Sequence, residues 1–94
     1  MFIEWHEAAL EDLRELRAYI AREKPMAAER IAQKILMAVN NLEDNPKLGR
    51  SGRISGTREL IVGGTPYIVP YQLAEKTVQV LRVLHNARRW PAHF

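Results

Sequence analysis

TVQVLRVLH, residues 77–85, decides the fold, because it has the pattern of a β-strand that is apolar on both sides. In an extended chain Val80 and Leu84 point to one side, whereas Leu81 and Val83 point to the other. A strand with two apolar faces is typical of the centre of a sheet, where other elements cover it from both sides. We therefore expect residues 77–85 to form a central strand.

Two stretches upstream have the same strand-like character, RELIV at residues 58–62 and YIVPYQL at residues 67–73. The turn sequence GGTP separates them, and a connection near AEK leads into residues 77–85. This pattern predicts three consecutive antiparallel strands. Pro70 interrupts the middle one, and because proline cannot donate to a strand ladder, we expect a bulge or an outward-facing edge there.

The N-terminal half predicts a short strand followed by two helices. FIEW alternates in polarity, so we expect a strand over residues 1–5. The first helix then begins near Glu7, with an apolar face made by Ala9, Leu10, Leu13, Leu16 and Ile20. Pro25 suits the first turn of a second helix, which ends before Pro46, and we expect a loop over residues 46–57, which contain three glycines. The predicted fold is one α+β domain over residues 1–94, ordered β-α-α-β-β-β, with a helical hairpin packed on a mainly antiparallel sheet.

Charge divides the chain into two unequal halves. Residues 1–45 contain six basic and nine acidic side chains, whereas residues 46–94 contain eight basic and two acidic ones. A basic half suits an anionic partner such as nucleic acid or an acidic protein segment, although a solvated surface would have the same composition. The chain has no cysteine, no apolar leader at its N-terminus and no membrane-length apolar run, so we expect a cytoplasmic protein without a membrane partner.

The basic half contains the residues that could act on RNA. If the protein is a nuclease, the candidates for catalysis are Arg50, Arg53, Arg58, Arg82, His85 and Arg88. We expect the start of the first strand of the meander and the end of its last strand to lie close together, which would join them in one patch. Arginine binds phosphate through its fork of donors, and histidine can move a proton during attack by a 2′-hydroxyl group. Such a site needs no metal and no cofactor, and the histidine spacing predicts no metal site.

Each of these residues also has a structural interpretation. Arg82 interrupts an apolar strand, so an ion pair with Glu4 or Glu59 would explain it as well as catalysis. His85 at a strand end often serves as a hydrogen-bonding residue. Trp90 could cap the core, and the loop arginines could serve solubility alone. Periodicity and spacing do not separate these interpretations.

Four stretches resemble the RelE/ParE superfamily of bacterial toxins from type II toxin–antitoxin modules. They are AALEDLRELRAYIA, NPKLGRSGRISGTREL, GGTPYIVPYQL and VQVLRVLHNARRWP, and the likeness covers about residues 2 to 91. The resemblance implies the β-α-α-β-β-β fold and a cognate antitoxin, with which the toxin would form a hetero-oligomer. For this antitoxin the binding candidates are Leu10, Leu13, Arg17 and Arg58.

The superfamily has two kinds of target. RelE-like members cut mRNA on the ribosome and typically have a tyrosine near the C-terminus, whereas ParE-like members inhibit DNA gyrase. This chain has no tyrosine after Tyr71, and RVLH followed by ARRWP looks more like the ParE branch. The resemblance therefore implies a gyrase inhibitor that blocks replication, with a ribosome-dependent mRNA endoribonuclease as the alternative. The candidates for target binding are His85, Arg88, Arg89 and Trp90.

Overall fold

The computed structural model describes all residues from Met1 to Phe94 and contains two helices and six strands. Strand β1 spans Phe2–Trp5, helix α1 spans Glu7–Ala21, and helix α2 spans Pro25–Asn40 and continues as a 3-10 turn over Asn41–Glu43. The other strands are β2 (Arg50–Ser51), β3 (Arg58–Ile61), β4 (Tyr67–Ala74), β5 (Thr77–Val80) and β6 (Leu84–His85). The predicted α+β fold, a helical hairpin on a mainly antiparallel sheet, is confirmed. Neither helix has the length and apolarity that crossing a membrane requires.

The sheet has the strand order β1-β5-β4-β3-β2, and β6 pairs with the beginning of β4. The pairing of β1 with β5 is parallel, and all other pairings are antiparallel. Strand β5 therefore has a neighbour on each side, which confirms the central position predicted from its two apolar faces.

A β-bulge opposite Pro70 divides the predicted last strand into β5 and β6. The backbone amides of Leu81 and Arg82 both donate to the carbonyl oxygen of Pro70, at 2.9 and 3.4 Å. Two residues thus oppose one, which is the arrangement of a bulge. Of the two expectations for Pro70, the bulge is the one that the structure confirms.

The bulge changes which side chains face the helices. Val80 and Val83 both belong to the core under the helices, whereas Leu84 pairs with Ile68 on the opposite face of the sheet. The prediction that Val80 and Leu84 share one side is therefore wrong. One extra residue in a strand turns every later side chain to the other face.

The core lies between the helical hairpin and one face of the sheet. The helices contribute Ala9, Leu16, Ile35, Val39 and Leu42, and the sheet contributes Leu60, Val62, Tyr67, Val69, Tyr71, Val78, Val80 and Val83. Burial of a large aliphatic side chain stabilises the folded state by roughly 1.5–3 kcal/mol. This cluster is therefore the main source of stability, and it fixes α1 against the sheet beside the end of β6.

The segment at residues 46–57, predicted to be a loop, contains the two-residue strand β2, which pairs with the start of β3. Its first part is held by Tyr71, whose hydroxyl group accepts the Gly49 amide and donates to the Pro46 carbonyl oxygen, both at 2.8 Å. A strand of two residues is too short to produce a periodic pattern, so the sequence could not reveal it.

Candidate functional site

His85 ends the sheet and organises the C-terminal segment, residues 86–94. Its ring meets the ring of Tyr67 edge to face, with centroids 5.5 Å apart. Its Nδ1 atom accepts the Ala87 amide at 3.1 Å, and its carbonyl oxygen accepts Nε1 of Trp90 at 3.0 Å. The histidine therefore holds the turn that follows β6, which agrees with the structural interpretation of this residue.

A cavity of about 360 Å³ lies between α1 and the C-terminal segment. Asp12, Glu15 and Tyr19 line it from the helix. His85, Arg88 and Trp90 are among the residues that line it from β6 and the segment. One wall is thus acidic and the other basic, which is a poor arrangement for a site that must bind the phosphate groups of RNA.

Arg82 does not contribute a free positive charge to this cavity. Its guanidinium group binds the carboxylate of Asp12, with Nε to Oδ2 at 2.7 Å and Nη2 to Oδ1 at 3.0 Å. This hydrogen bonding raises the pKa of Arg82 above its ordinary value, although burial opposes the shift. An ion pair was expected with Glu4 or Glu59, and that choice of partner is wrong, because the bulge directs Arg82 towards α1.

Arg50 and Arg53 are also engaged within the protein. Both bind Glu59, which is 3% exposed on the sheet face opposite the helices. The Arg53 backbone amide donates to the same carboxylate at 2.8 Å. Burial raises the pKa of Glu59, but the hydrogen bonds from Arg53 and Arg50 outweigh it and hold the pKa below its ordinary value. The carboxylate therefore stays ionised and neutralises one of the three positive charges of the loop, those of Lys47, Arg50 and Arg53.

The predicted patch of arginines around His85 does not form as a whole. Arg58 lies opposite Tyr71 in β4, whereas His85 lies opposite Tyr67, four residues earlier in the same strand and roughly 13 Å away. The expectation that the two ends of the meander meet is wrong. In three consecutive antiparallel strands the first and the third run in the same direction, so the start of the first and the end of the third lie at opposite ends of the sheet. Arg58 instead donates to the carbonyl oxygens of Gly49 and Lys47, at 2.8 and 3.3 Å.

One loop arginine nevertheless reaches the C-terminal segment. The guanidinium carbon of Arg53 lies 3.5 Å from the ring centroid of Trp90. The C-terminal segment and the loop at residues 46–57 are therefore in contact through this pair. Trp90 is half-buried and is not part of the core cluster, so the interpretation of this residue as a core cap is wrong.

The free cations of the region are Arg88 and Arg89, which form no salt bridge and are exposed. Arg88 lies over the exposed ring of Tyr19, with 5.6 Å between its guanidinium carbon and the ring centroid. Tyr19 was not among the residues predicted from the sequence. The available signal was its spacing from Asp12 and Leu16, at i, i+4 and i+7, because such residues share one side of a helix.

The residues proposed to bind an antitoxin lie in two places. Leu10 and Leu13 are half-buried on α1, and Arg17 on the same helix binds Glu29 of α2 through one nitrogen, at 2.7 and 2.9 Å. Arg58 is bound to backbone carbonyl groups of the loop, away from this surface of α1. No group of three or more acidic or histidine side chains is arranged to hold a metal ion.

Comparison with known proteins gives matches over nearly the whole chain. The family described as "ParE toxin of type II toxin-antitoxin system, parDE" matches residues 3–90. The protein Y4kP of Sinorhizobium fredii, described as a candidate toxin, is 43% identical over 95% of this chain and 92% of its own length. Toxin RelE2 of Caulobacter vibrioides is 37% identical over 89% of this chain and 93% of its own.

Solved structures share the fold. A chain of the chromosomal ParDE toxin–antitoxin system from P. aeruginosa superposes with a TM-score of 0.83 at 26% identity, covering 90% of this chain and 95% of that chain. A chain of the RelBE2 toxin–antitoxin complex from Mycobacterium tuberculosis gives a TM-score of 0.62 at 24% identity, covering 93% and 92%. At that identity the second match supports the fold alone.

Proposed function

Because the chain belongs to the ParE toxin family of type II toxin–antitoxin systems, we propose that it binds DNA gyrase and blocks replication without catalysing a reaction. The surface that we assign to gyrase is the target surface, defined as Tyr19 on α1 together with Arg88, Arg89 and Trp90 in the C-terminal segment. In this proposal His85 holds the turn that carries the target surface, through its hydrogen bonds with Ala87 and Trp90, and does not transfer protons.

The engagement of the other arginines supports this proposal. Arg82 is bound to Asp12, Arg50 and Arg53 are bound to Glu59, and Arg58 is bound to loop carbonyl groups. A metal-independent ribonuclease needs unpaired cations that face the scissile phosphate and stabilise charge as it develops. Three of these arginines are paired with carboxylates and Arg58 is bound to neutral carbonyl oxygens, which leaves Arg88 and Arg89 as the free cations beside His85.

The composition of the target surface also favours binding to a protein. Tryptophan, tyrosine and arginine are the side chains that most often dominate the free energy of protein interfaces. Tyr19 is 60% exposed although it is large and aromatic. The target surface thus presents two aromatic rings and two unpaired guanidinium groups.

The test is inhibition of DNA supercoiling by purified gyrase, measured beside cleavage of mRNA on purified ribosomes. We expect the wild-type protein to inhibit supercoiling and to leave mRNA intact. Replacement of Trp90 or Arg89 by alanine should weaken inhibition about 30-fold, as loss of an interface anchor does. Arg30→Ala, which removes an exposed cation from α2, is the matched control and should change nothing. Wild-type protein that cleaves mRNA and does not affect gyrase would overturn the proposal.

A ribosome-dependent endoribonuclease is the alternative. It is favoured by the name of the Caulobacter relative RelE2 and by the presence of His85, Arg88 and Arg89 around one cavity. The feature against it is Glu15, which forms no salt bridge and lines the same cavity, because a free carboxylate repels the RNA backbone.

We also propose that a cognate antitoxin binds the outer surface of the helical hairpin. The matched structures from P. aeruginosa and M. tuberculosis come from toxin–antitoxin systems. On this chain Leu10, Leu13 and Arg17 follow one another along α1 at helical spacing, and Met26 on α2 is 78% exposed. Arg58 is less suited to this role, since its Nη1 atom already binds carbonyl groups of the loop. Co-expression with the product of the neighbouring small gene should restore growth and give a stable complex, and Met26→Glu, at an exposed position of α2, should weaken the complex.

A further inference from the structure

We propose that Arg53 is a positioning residue, which holds the C-terminal segment in its binding conformation by stacking on Trp90 while anchored to Glu59. The inference rests on the proposed function, which assigns the C-terminal segment to target binding. It gives Arg53 a role that involves neither RNA nor direct contact with the target.

Arg53 is fixed more firmly than an exposed loop arginine usually is. Its backbone amide and its Nε atom both donate to one oxygen of Glu59, at 2.8 and 3.2 Å. Glu59 belongs to β3 and is buried, so it provides a rigid anchor. The guanidinium group is consequently held between this carboxylate and the ring of Trp90, 3.5 Å from its centroid.

The C-terminal segment has few other attachments. Its last backbone hydrogen bond to a distant part of the chain is from the Asn86 amide to the carbonyl oxygen of Pro66, the residue before β4, at 2.8 Å. Beyond that residue, the hydrogen bonds of the segment all end on His85 and are therefore local. The stack on Arg53 is the closer of the two cation–π contacts between the segment and a distant part of the chain, since the guanidinium carbon of Arg88 lies 5.6 Å from the ring centroid of Tyr19. Loss of the stack should leave residues 87–94 attached at one end only.

The structure offers a matched control in Arg50. It also binds Glu59, at 3.1 Å, and is about as exposed as Arg53, but it does not stack on Trp90 and lies outside the target surface. Arg50→Ala and Arg53→Ala therefore remove the same charge and each take one partner from Glu59. Only Arg53→Ala also removes the stack on Trp90.

The test combines two measurements on the full chain. In a Trp5→Phe background Trp90 is the only tryptophan, so its emission maximum and its quenching by acrylamide report the C-terminal segment directly. We expect Arg53→Ala to shift the emission to longer wavelength and to increase quenching, whereas Arg50→Ala does neither. Inhibition of gyrase should weaken about 5- to 30-fold in Arg53→Ala, as expected for loss of a cation–π contact that is partly desolvated. Arg53→Lys keeps the charge but not the planar stack, so we expect its Trp90 fluorescence and its inhibition of gyrase to lie between those of the wild type and Arg53→Ala.

The outcomes separate the inference from the proposed function. Weaker inhibition without a change in Trp90 emission would mean that Arg53 contacts the target itself, and would overturn the inference. Equal behaviour of Arg53→Ala and Arg50→Ala would also overturn it. If the wild type does not inhibit gyrase, the proposed function fails, while the fluorescence still decides whether Arg53 positions the segment.

If Arg53→Ala does not fold, Arg53→Gln removes the guanidinium group from the stack but keeps a longer polar side chain. Its Trp90 emission should then differ from that of Arg50→Gln, and equal emission of these two variants would overturn the inference.

Discussion

Asp12 and Arg82 lie 70 positions apart in the chain and are joined by two hydrogen bonds, at 2.7 and 3.0 Å. The same carboxylate accepts the Val83 amide at 2.9 Å. The pair therefore connects α1 to the chain at the bulge, and its Asp12 lines the cavity that the C-terminal segment borders.

Removal of either partner should destabilise the fold. Asp12→Ala leaves a guanidinium group and a backbone amide without their acceptor, so we expect the free energy of unfolding to fall by about 2–4 kcal/mol. Urea denaturation measures this change. Arg82→Ala should have an effect of similar size, and the double variant should lose much less than the sum of the two single variants.

The control for this pair is Glu29→Ala, which removes the exposed partner of Arg17. Exposed ion pairs contribute less than about 1 kcal/mol, so its stability should hardly change. Additive losses in Asp12→Ala and Arg82→Ala would show that the two residues do not act as a pair.

Gly49 should not tolerate even a methyl group. A Cβ atom at this position would lie 2.6 Å from Cε1 of Tyr71 and 2.7 Å from its hydroxyl oxygen. Gly49→Ala must therefore displace the hydroxyl group that fastens the loop, and we expect a loss of about 1–3 kcal/mol in thermal or urea unfolding. Gly63→Ala is the matched control, since nothing lies within 4 Å of a Cβ atom there. Equal stability of the two variants would contradict the role of Tyr71.

The stability of the protein should fall in acid partly because of Glu59. The pKa of this carboxyl group is lower in the folded state than in the unfolded chain, so its contribution is complete above the unfolded value of about 4.3 and is lost as the pH falls towards the folded value. Glu59→Gln should therefore be less stable than the wild type near pH 7, and the difference should shrink at about pH 3. Thermal unfolding at both pH values measures this. Glu23→Gln, at an exposed position on the same chain, should follow the wild type, and a constant difference for Glu59→Gln would contradict the assignment.

The sequence predicted the elements of the fold because each of them has its own periodicity. The apolar steps of α1, the proline that opens α2 and the two apolar faces of residues 77–85 were sufficient for the α+β architecture. Pro70 also indicated the bulge, since a missing amide is a local property. The faces of the sheet on which Val83 and Leu84 lie could not be predicted in this way. They depend on which residues of the last strand lie opposite Pro70, and that pairing joins distant parts of the chain.

The candidate site was predicted less well because pairing between distant charges leaves no mark on the sequence. Asp12 is one of several acidic residues on α1, and nothing in its spacing selects it as the partner of Arg82. Glu59 was predicted only as a possible ion-pair partner of Arg82, whereas in the structure it binds Arg50 and Arg53. The basic character of the C-terminal half was visible, whereas the fraction of it that Glu59 and Asp12 neutralise required the structure.

His85 provides the sharpest separation of a gyrase inhibitor from a ribonuclease. Asparagine places its side-chain oxygen close to the position of Nδ1, so His85→Asn should keep the hydrogen bond from the Ala87 amide while removing the group that could exchange a proton. For a protein that only binds, we expect gyrase inhibition by His85→Asn to stay within about fivefold of the wild type, because only the contact of the imidazole ring with Tyr67 is lost. His85→Ala should be somewhat weaker, because it also loses the hydrogen bond from the Ala87 amide. A ribonuclease that used His85 as its acid or base would instead lose about 10²–10⁴-fold in mRNA cleavage in both variants, since asparagine does not replace a proton carrier. Loss of toxicity in a folded His85→Asn variant, together with cleavage of mRNA by the wild type, would therefore place the activity of this toxin on the ribosome.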